Sequence, residues 1–306
     1  MRGLHTYRLA TMFPPPGFLS MPAAGIDISD TSIKYLDAAY NRAGYVPRDF
    51  DSMRLPRGIV VDGVVENKDA LAEALKTLSQ KHDRHFANIS LPEELVYLYT
   101  IPIQSGQSDQ ATRQMVEFSL TEHVPILADN AVFDFDIISG ENGVSEASVT
   151  VFPKDVIAGY KEACEKGGFH VKALELEAQS VARAVIPREA SGTSMVIDFG
   201  RTRTGITIAK GQVPLFSTTV KVGGNALTEA IMNFYSVSEE KADEIKRIQG
   251  LAECKDEKLC ALLLNTTKAL TDEIRRHYRF WTTRKDEGGE REAVIEQIYL
   301  CGGAVG

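Results

Sequence analysis

Two stretches of the chain carry the same pattern. GIDISDTSIKYL at Gly25–Leu36 and VIDFGRTRTGITI at Val196–Ile208 each begin with an apolar run that places an aspartate near its end. A turn of glycine, serine and threonine follows, and a second alternating run returns. Period-two alternation on both sides of a tight turn predicts a β-hairpin. Each hairpin needs a sheet and a covered face, and the two lie some 170 residues apart (196 − 25 = 171). The chain therefore has to build two α/β lobes that use one motif twice.

The rest of the sequence can supply them. With 306 residues and 43% hydrophobic content, there is enough apolar material for two cores. RGIVVDGVVEN predicts a small hairpin around Asp62-Gly63. NKDALAEALKTLSQKH is helical through Leu71, Leu75 and Leu78, and ATRQMVEFSLTEHVP is helical up to Pro125. FANISLPEELVYLYTIPI predicts two short strands around Pro92, and AVFDFDII and EASVTVFP a strand pair. Asp134 and Asp136 alternate on the solvated face of that pair. DVIAGYKEACEKGG is an amphipathic helix ending at a glycine pair, and FHVKALELEAQSVARAVI a strand running into a helix. A three-strand meander begins at VIDFG, helix continues to Trp281, KDEGGERE turns, and IEQIYLCGGAVG is a last strand. PREASGTS is the best lobe boundary. The expected division is an irregular arm over 1–22, a first lobe over 23–190 with a small subdomain inserted at about 88–175, and a second lobe over 191–306. Pro14, Pro15 and Pro16 break the apolar run that a signal peptide needs in the arm.

Charge and cysteines exclude several classes. A net charge of −8 argues against general nucleic-acid binding. No stretch approaches the roughly 18 apolar residues of a membrane span. Cys164, Cys254, Cys260 and Cys301 form no C-x-x-C pair, so neither a disulfide framework nor a zinc site is expected, and a reducing cytosol fits. His82 and His85 lack a ligand cluster for a metal. In RRHYRFWTTRK the basic residues are expected to lay their stems over aromatic core at a helix end.

The hairpins suggest chemistry. A turn rich in glycine and hydroxyls aims backbone N–H groups at an anion. Two such hairpins facing each other would clamp a chain of phosphates. Asp27 and Asp198 are the candidates to hold Mg²⁺ through water. Ser29, Thr31, Ser32, Thr202 and Thr204 offer hydroxyls, Gly200 an open turn, and Lys34 a point charge. Arg201 and Arg203 reach either phosphate or solvent. Gly302 and Gly303 let backbone approach a flat ligand such as adenine. There is no Walker A motif, which excludes a P-loop fold.

GIDISDTSIK, VIDFGRTRTGI and IYLCGGAVG resemble the two phosphate loops and the adenosine motif of the actin-like ATPase superfamily, which includes actin, Hsp70, sugar kinases and FtsA. RGIVVDGVVENKDALAEAL, MVEFSLTEHVPILADNAVFDFDII, GGFHVKALELEAQSVARAV, VGGNALTEAIMNFYSVSEEKADEIKR and LTDEIRRHYRF narrow the resemblance to the PilM family of type IV pilus assembly, over about 25–306. The resemblance implies a two-lobed α/β actin-like (ribonuclease H-like) fold with the inserted subdomain of the FtsA and PilM type. It implies ATP with Mg²⁺ as cofactors, and adds Gly223, Gly224, Asp243 and Lys246 to the nucleotide site. Asp243 stands where relatives often carry glutamate. It further implies a cytoplasmic scaffold, peripheral at the inner face of the membrane, that binds the N-terminal cytoplasmic tail of a PilN-like membrane protein and other pilus components. In the family that tail lies between the first and the inserted subdomains; Phe133, Phe135, Val149 and Val151 fall on the inserted subdomain's strands, without a face assigned to the tail. Family members continue past the adenosine motif with a closing helix, so the chain is expected to lack one. An FtsA-like division tether and a small-molecule kinase are the alternatives. No residue stands out as positioning an attacking water.

Overall fold

The computed structural model describes residues 21–41, 44–140, 143–249, 254–284 and 294–304. Most of the expected N-terminal arm and the KDEGGERE turn lie outside them. The chain separates into two compact units, one running to Leu95 and including Pro153–Glu175, the other formed by Val96–Phe152 and the chain from Leu176.

The first unit is built on a five-stranded sheet. Its strands are β1 (Ala23–Ile28), β2 (Ser32–Asn41), β3 (Gly44–Arg54), β6 (Phe86–Leu91) and β10 (His170–Leu176), with β4 (Val60–Val61) and β5 (Val64–Val65) forming a separate hairpin. The order is β10-β6-β1-β2-β3. β1 runs antiparallel to β2, with Asp27 opposite Lys34, and parallel to β6. The alternation seen in the sequence sends Ala24, Ile26 and Ile28 inward, where all are buried. The β4–β5 turn places Asp62 at φ 47° and Gly63 at φ 80°, the left-handed pair that a two-residue hairpin turn requires. Helices α1 (Lys68–Lys81) and α3 (Lys154–Lys166) pack together. Leu71, Leu75 and Leu78 are buried on the predicted face. The α3 C-terminus comes close enough to α1 that a Cβ on Gly167 would sit 2.6 Å from the Leu75 Cβ. Ser79 Oγ donates to Gly167 O there at 2.7 Å.

The second unit contains two sheets. The smaller has the order β7-β9-β8, from β7 (Tyr97–Gln104), β8 (Ala131–Ile138) and β9 (Val144–Pro153). Helix α2 (Asp109–His123) covers it, and Ile101, Ile103, Val116, Leu120, Ala147, Val149 and Val151 form its core. The larger has the order β13-β12-β11-β14. Here β11 (Thr193–Phe199), β12 (Thr204–Lys210) and β13 (Val213–Val220) form the expected meander, and β14 (Ile295–Cys301) joins β11 in parallel.

Both faces of the larger sheet are covered. Helix α4 (Glu177–Val185) brings Ala182 against Val196 and Ala209. On the other side α7 (Glu257–Thr283) brings Trp281, Ile274 and Tyr278 onto Met195, Ile197, Ile206 and Ile208. The Arg284 guanidinium lies over the Trp281 ring at 5.6 Å, a cation–π contact made by the charged head. Helices α5 (Gly224–Tyr235) and α6 (Glu239–Ile248) share a further core with α7 through Leu227, Ile231, Ala242, Leu259 and Leu263.

One expectation is overturned. Cys254 and Cys260 form a disulfide. Their Cα atoms stand 5.7 Å apart. The Asp256 carboxylate caps α7 by accepting from the N–H groups of Lys258 and Leu259, and that turn folds Cys254 back towards the first turn of the helix. Six residues of separation is no recognised spacing, so composition alone gave no hint of the pair. Cys164 and Cys301 are free thiols.

Candidate nucleotide site

In the second unit four segments converge on the end of β11. Asp198 is the penultimate residue of that strand, paired with Gly205 on β12 and Cys301 on β14. The hairpin turn closes through Gly200 N–H donating to Arg203 O at 3.0 Å. The α5 N-terminus then docks on this turn: Gly224 N–H donates to Gly200 O at 2.9 Å and Asn225 N–H to Arg201 O at 2.8 Å. A Cβ on Gly223 would lie 2.6 Å from Arg203 N and 2.7 Å from Gly200 O, so only glycine fits. The turn after β14 approaches from the other side. Gly302 sits at φ 101°, where a side chain would collide with the Asp198 carboxylate, and Ala304 N–H donates to Phe199 O at 3.0 Å. Gly303 borders open space.

Helix α6 supplies a polar cluster next to this turn. Lys246 Nζ donates to Thr228 Oγ1 at 2.7 Å and Asp243 Oδ1 at 2.8 Å, and the Thr228 hydroxyl lies 2.8 Å from the same carboxylate oxygen. Burial disfavours the Asp243 charge. The bonds from Lys246 and Thr228 outweigh it and hold the carboxyl below its ordinary value. At the neighbouring Cys301, burial first and the Asp198 charge second push the thiol up to about 11. That thiol stays neutral near pH 7.

Two positions find partners that sequence left open. Arg201 reaches neither bare solvent nor an empty turn: its Nε donates to Asn225 Oδ1 at 3.0 Å and its Nη2 to Glu239 Oε1 at 2.6 Å. Thr204 is fully buried, and its hydroxyl donates to Val222 O at 2.6 Å. It braces the loop that leads to Gly223. Thr202 remains exposed at the tip of the turn.

The first unit holds the matching hairpin by itself. Asp27 Oδ2 accepts from Lys34 Nζ at 2.7 Å across the strands. Ser29 and Ser32 close the turn, with Ser29 N–H donating to Ser32 O at 2.9 Å and their hydroxyls 3.0 Å apart. Thr31 O accepts from Leu55 N–H, and Asp30 Oδ1 from Gly63 N–H. The sequence reading missed Thr228, Asn225 and Glu239. Thr228 was findable, since it lies one helical turn after Gly224 and faces the same way.

The sequence profile of the type IV pilus assembly protein PilM matches residues 25–305. The chain belongs to the PilM family. It is similar to the solved PilM-PilN type IV pilus biogenesis complex, with 22% identity, 92% of this chain and 82% of that chain covered, and a TM-score of 0.72. MreB5 of Spiroplasma citri bound to ADP shares 15% identity over 92% of this chain and 85% of that one, with a TM-score of 0.51. The cell division protein FtsA of Streptococcus pneumoniae is 24% identical over 260 residues, 74% of this chain. The chain spans 56% of that relative's length. The fold is thus the mixed α/β fold of actin-like ATPases, and the PilM-family chain is an actin-like protein of type IV pilus assembly. No helix among the described residues is long and apolar enough to cross a membrane.

Proposed function

We propose that this PilM-family chain is an ATP-binding scaffold that joins pilus assembly by binding the N-terminal cytoplasmic tail of a PilN-like inner-membrane protein. It would be cytoplasmic and held at the membrane by that partner. The observation that carries the nucleotide half of the proposal is the convergence of Asp198, Gly200, Gly223, Gly224 and Gly302 within one unit, with the Asp243–Lys246 pair beside them.

Each group has a part in that proposal. The Gly302–Gly303 turn, unobstructed at Gly303, suits the face of an adenine. Lys246 and Asp243, together one donor and one acceptor, suit ribose hydroxyls. Gly200 and the exposed Thr202 border the turn where phosphates would approach. In the first unit Ser29, Thr31, Ser32 and Lys34 are the phosphate candidates, and their turn bonds are of a kind that a phosphate oxygen can replace. Carboxylate and hydroxyl oxygens are the donor set that Mg²⁺ prefers, with Asp198 and Asp27 acting through water. Mg²⁺ would neutralise phosphate charge. Among the described residues we assign no general base, and the proposal is slow turnover: phosphate release should stay below about 1 per second, the lower range for kinases.

Differential scanning with ATP and Mg²⁺ tests the site. At about 100-fold excess over the dissociation constant, binding adds roughly 2.7 kcal/mol and raises the melting temperature by several degrees. Asp198→Ala should lose most of that rise. Equal shifts in wild type and variant would refute the assignment. For the partner half, liposomes carrying the PilN-like tail should float the protein, and bare anionic vesicles should leave it behind. Flotation on bare vesicles would favour an FtsA-like tether, a second reading prompted by the FtsA relative.

A further inference from the structure

Three segments of the second unit meet on one guanidinium. Arg201 follows Gly200 in the turn between β11 and β12, and its carbonyl already accepts from Asn225 N–H at 2.8 Å. Its side chain adds two bonds. Nε donates to Asn225 Oδ1, in the first turn of α5, at 3.0 Å, and Nη2 donates to Glu239 Oε1 at 2.6 Å. Glu239 is the first residue of α6, the helix that carries Asp243 and Lys246. The arginine thus straps the turn where phosphates would approach to the helix that would face the ribose. Its charge also reaches Asp243: burial opposes that carboxylate, the Lys246 and Thr228 bonds favour it, and Arg201 adds a lesser share.

The strap is made of bonds that exchange easily. The side chains of Arg201 and Glu239 are 45% and 50% exposed, and an ion pair at that exposure contributes little because water solvates both partners. Neither charge would be stranded in the core if the two parted. Glu239 stands in the first turn of α6, where the helix dipole favours a carboxylate with or without an arginine. A guanidinium presents a planar fork that fits two oxygens of a phosphate as well as two of a carboxylate. Glu239 therefore holds the arginine in the way that a phosphate would.

We propose that Arg201 distinguishes adenine nucleotides by their number of phosphates: it leaves Glu239 for the phosphate chain of ATP, and Glu239 is its built-in competitor. The assignment rests on the nucleotide reading above and names within it a residue that sets specificity. The two ends of the strap then have opposite effects. Removing the arginine takes a charge-assisted bond from the phosphates, whereas removing the Glu239 charge takes away the competitor. AMP, which lacks the phosphates beyond the first, should feel neither change. A purely structural strap behaves otherwise. Breaking it from either end would loosen the same turn and helix, and every nucleotide would bind more weakly.

The test is calorimetric titration of the full chain with ATP, ADP and AMP, each with Mg²⁺. Arg201→Gln should weaken ATP at least about tenfold, in the range of a charge-assisted hydrogen bond, and change AMP by less than about twofold. Glu239→Gln should tighten ATP about threefold, as loss of an exposed ion pair allows. In the Arg201→Gln background that second change should have no effect, because the competitor then has nothing to hold. The NMR signal of the Arg201 Nε–H, which bonds Asn225, should move when ATP is added and stay in place with AMP. Both side chains are exposed, so the variants without nucleotide should melt close to wild type. Weaker ATP binding by Glu239→Gln, or equal losses of ATP and AMP in Arg201→Gln, would overturn the proposal and leave a structural strap. ATP binding that Arg201→Gln leaves unchanged would overturn it while the nucleotide reading stands. A wild-type chain that binds none of the three nucleotides would refute that reading, and this inference with it.

Discussion

The two hairpins that share a sequence pattern are built to different tolerances. In the first unit the turn from Ser29 to Ser32 satisfies itself, hydroxyl to hydroxyl, and its aspartate pairs with an exposed lysine. A ligand that replaces those bonds leaves the ties from Thr31 to Leu55 and from Asp30 to Gly63 in place. In the second unit the turn from Gly200 to Arg203 is walled by the α5 N-terminus and the turn after β14, at distances where even a methyl group does not fit. One pattern therefore yields an adaptable turn and a preformed one. The surroundings make the difference, since the strand pairing is alike.

The largest expected contrast is steric. Gly223→Ala or Gly302→Ala should destabilise the fold by about 3 kcal/mol or more, from overpacking in one case and a strained positive φ in the other. Ser29→Ala should cost about 1 kcal/mol, the worth of an ordinary hydrogen bond. Urea unfolding measures both. A loss under about 1 kcal/mol for both glycine variants, no more than that ordinary hydrogen bond, would erase the contrast.

The two aspartates come next. If the second turn is the preformed one, Asp198→Ala should remove most of the roughly 2.7 kcal/mol of ATP-linked stabilisation. Asp27→Ala should leave a measurable part of it, because that carboxylate already has an alternative partner in Lys34. Calorimetric titration of the two variants gives the order directly.

A smaller effect depends on pH. The folded pKa of Asp243 lies below its unfolded value, so it contributes stability that is present above the unfolded value of about 4 and is lost as pH falls through the folded one. Stability measured from pH 5 down to pH 2 should fall less steeply in Asp243→Asn than in wild type. Identical slopes would mean that the Lys246 contact does not persist in solution. Smallest of all is Lys34→Met. Its ion pair is exposed, with 61% of the lysine side chain accessible, and thermal melts should register a change within about 0.5 kcal/mol.

Much of this architecture was legible because the core strands alternate cleanly and the helices carry leucine at the right spacing, as Leu71, Leu75 and Leu78 do. β3 escaped notice. GYVPRDFDSMR carries a proline and several charges, and as an edge strand it leaves Tyr45 and Phe50 exposed, so no buried face imposes a pattern. In the site, glycines and aspartates were readable as types because turns and strand ends demand them. Their partners were not. Whether the Thr204 hydroxyl faces a ligand or the Val222 carbonyl depends on where a loop eighteen residues later (222 − 204 = 18) returns. The Cys254–Cys260 bond likewise follows from how the chain turns into α7.

The parallel pairing of β14 with β11 also sets a clock. Thr193 lies opposite Ile295, and Asp198 opposite Cys301, so some eighty residues must be synthesised after the meander ends at Val220 before its open edge is filled (301 − 220 = 81). At about 5–20 residues per second, the meander waits roughly 4–16 seconds on the ribosome with that edge unpaired. Asp198 gains its neighbour at Gly302 only when the last-made strand docks. A nascent chain can thus fold its small sheet early, but this half of the candidate nucleotide site is among the last parts of the described protein to exist.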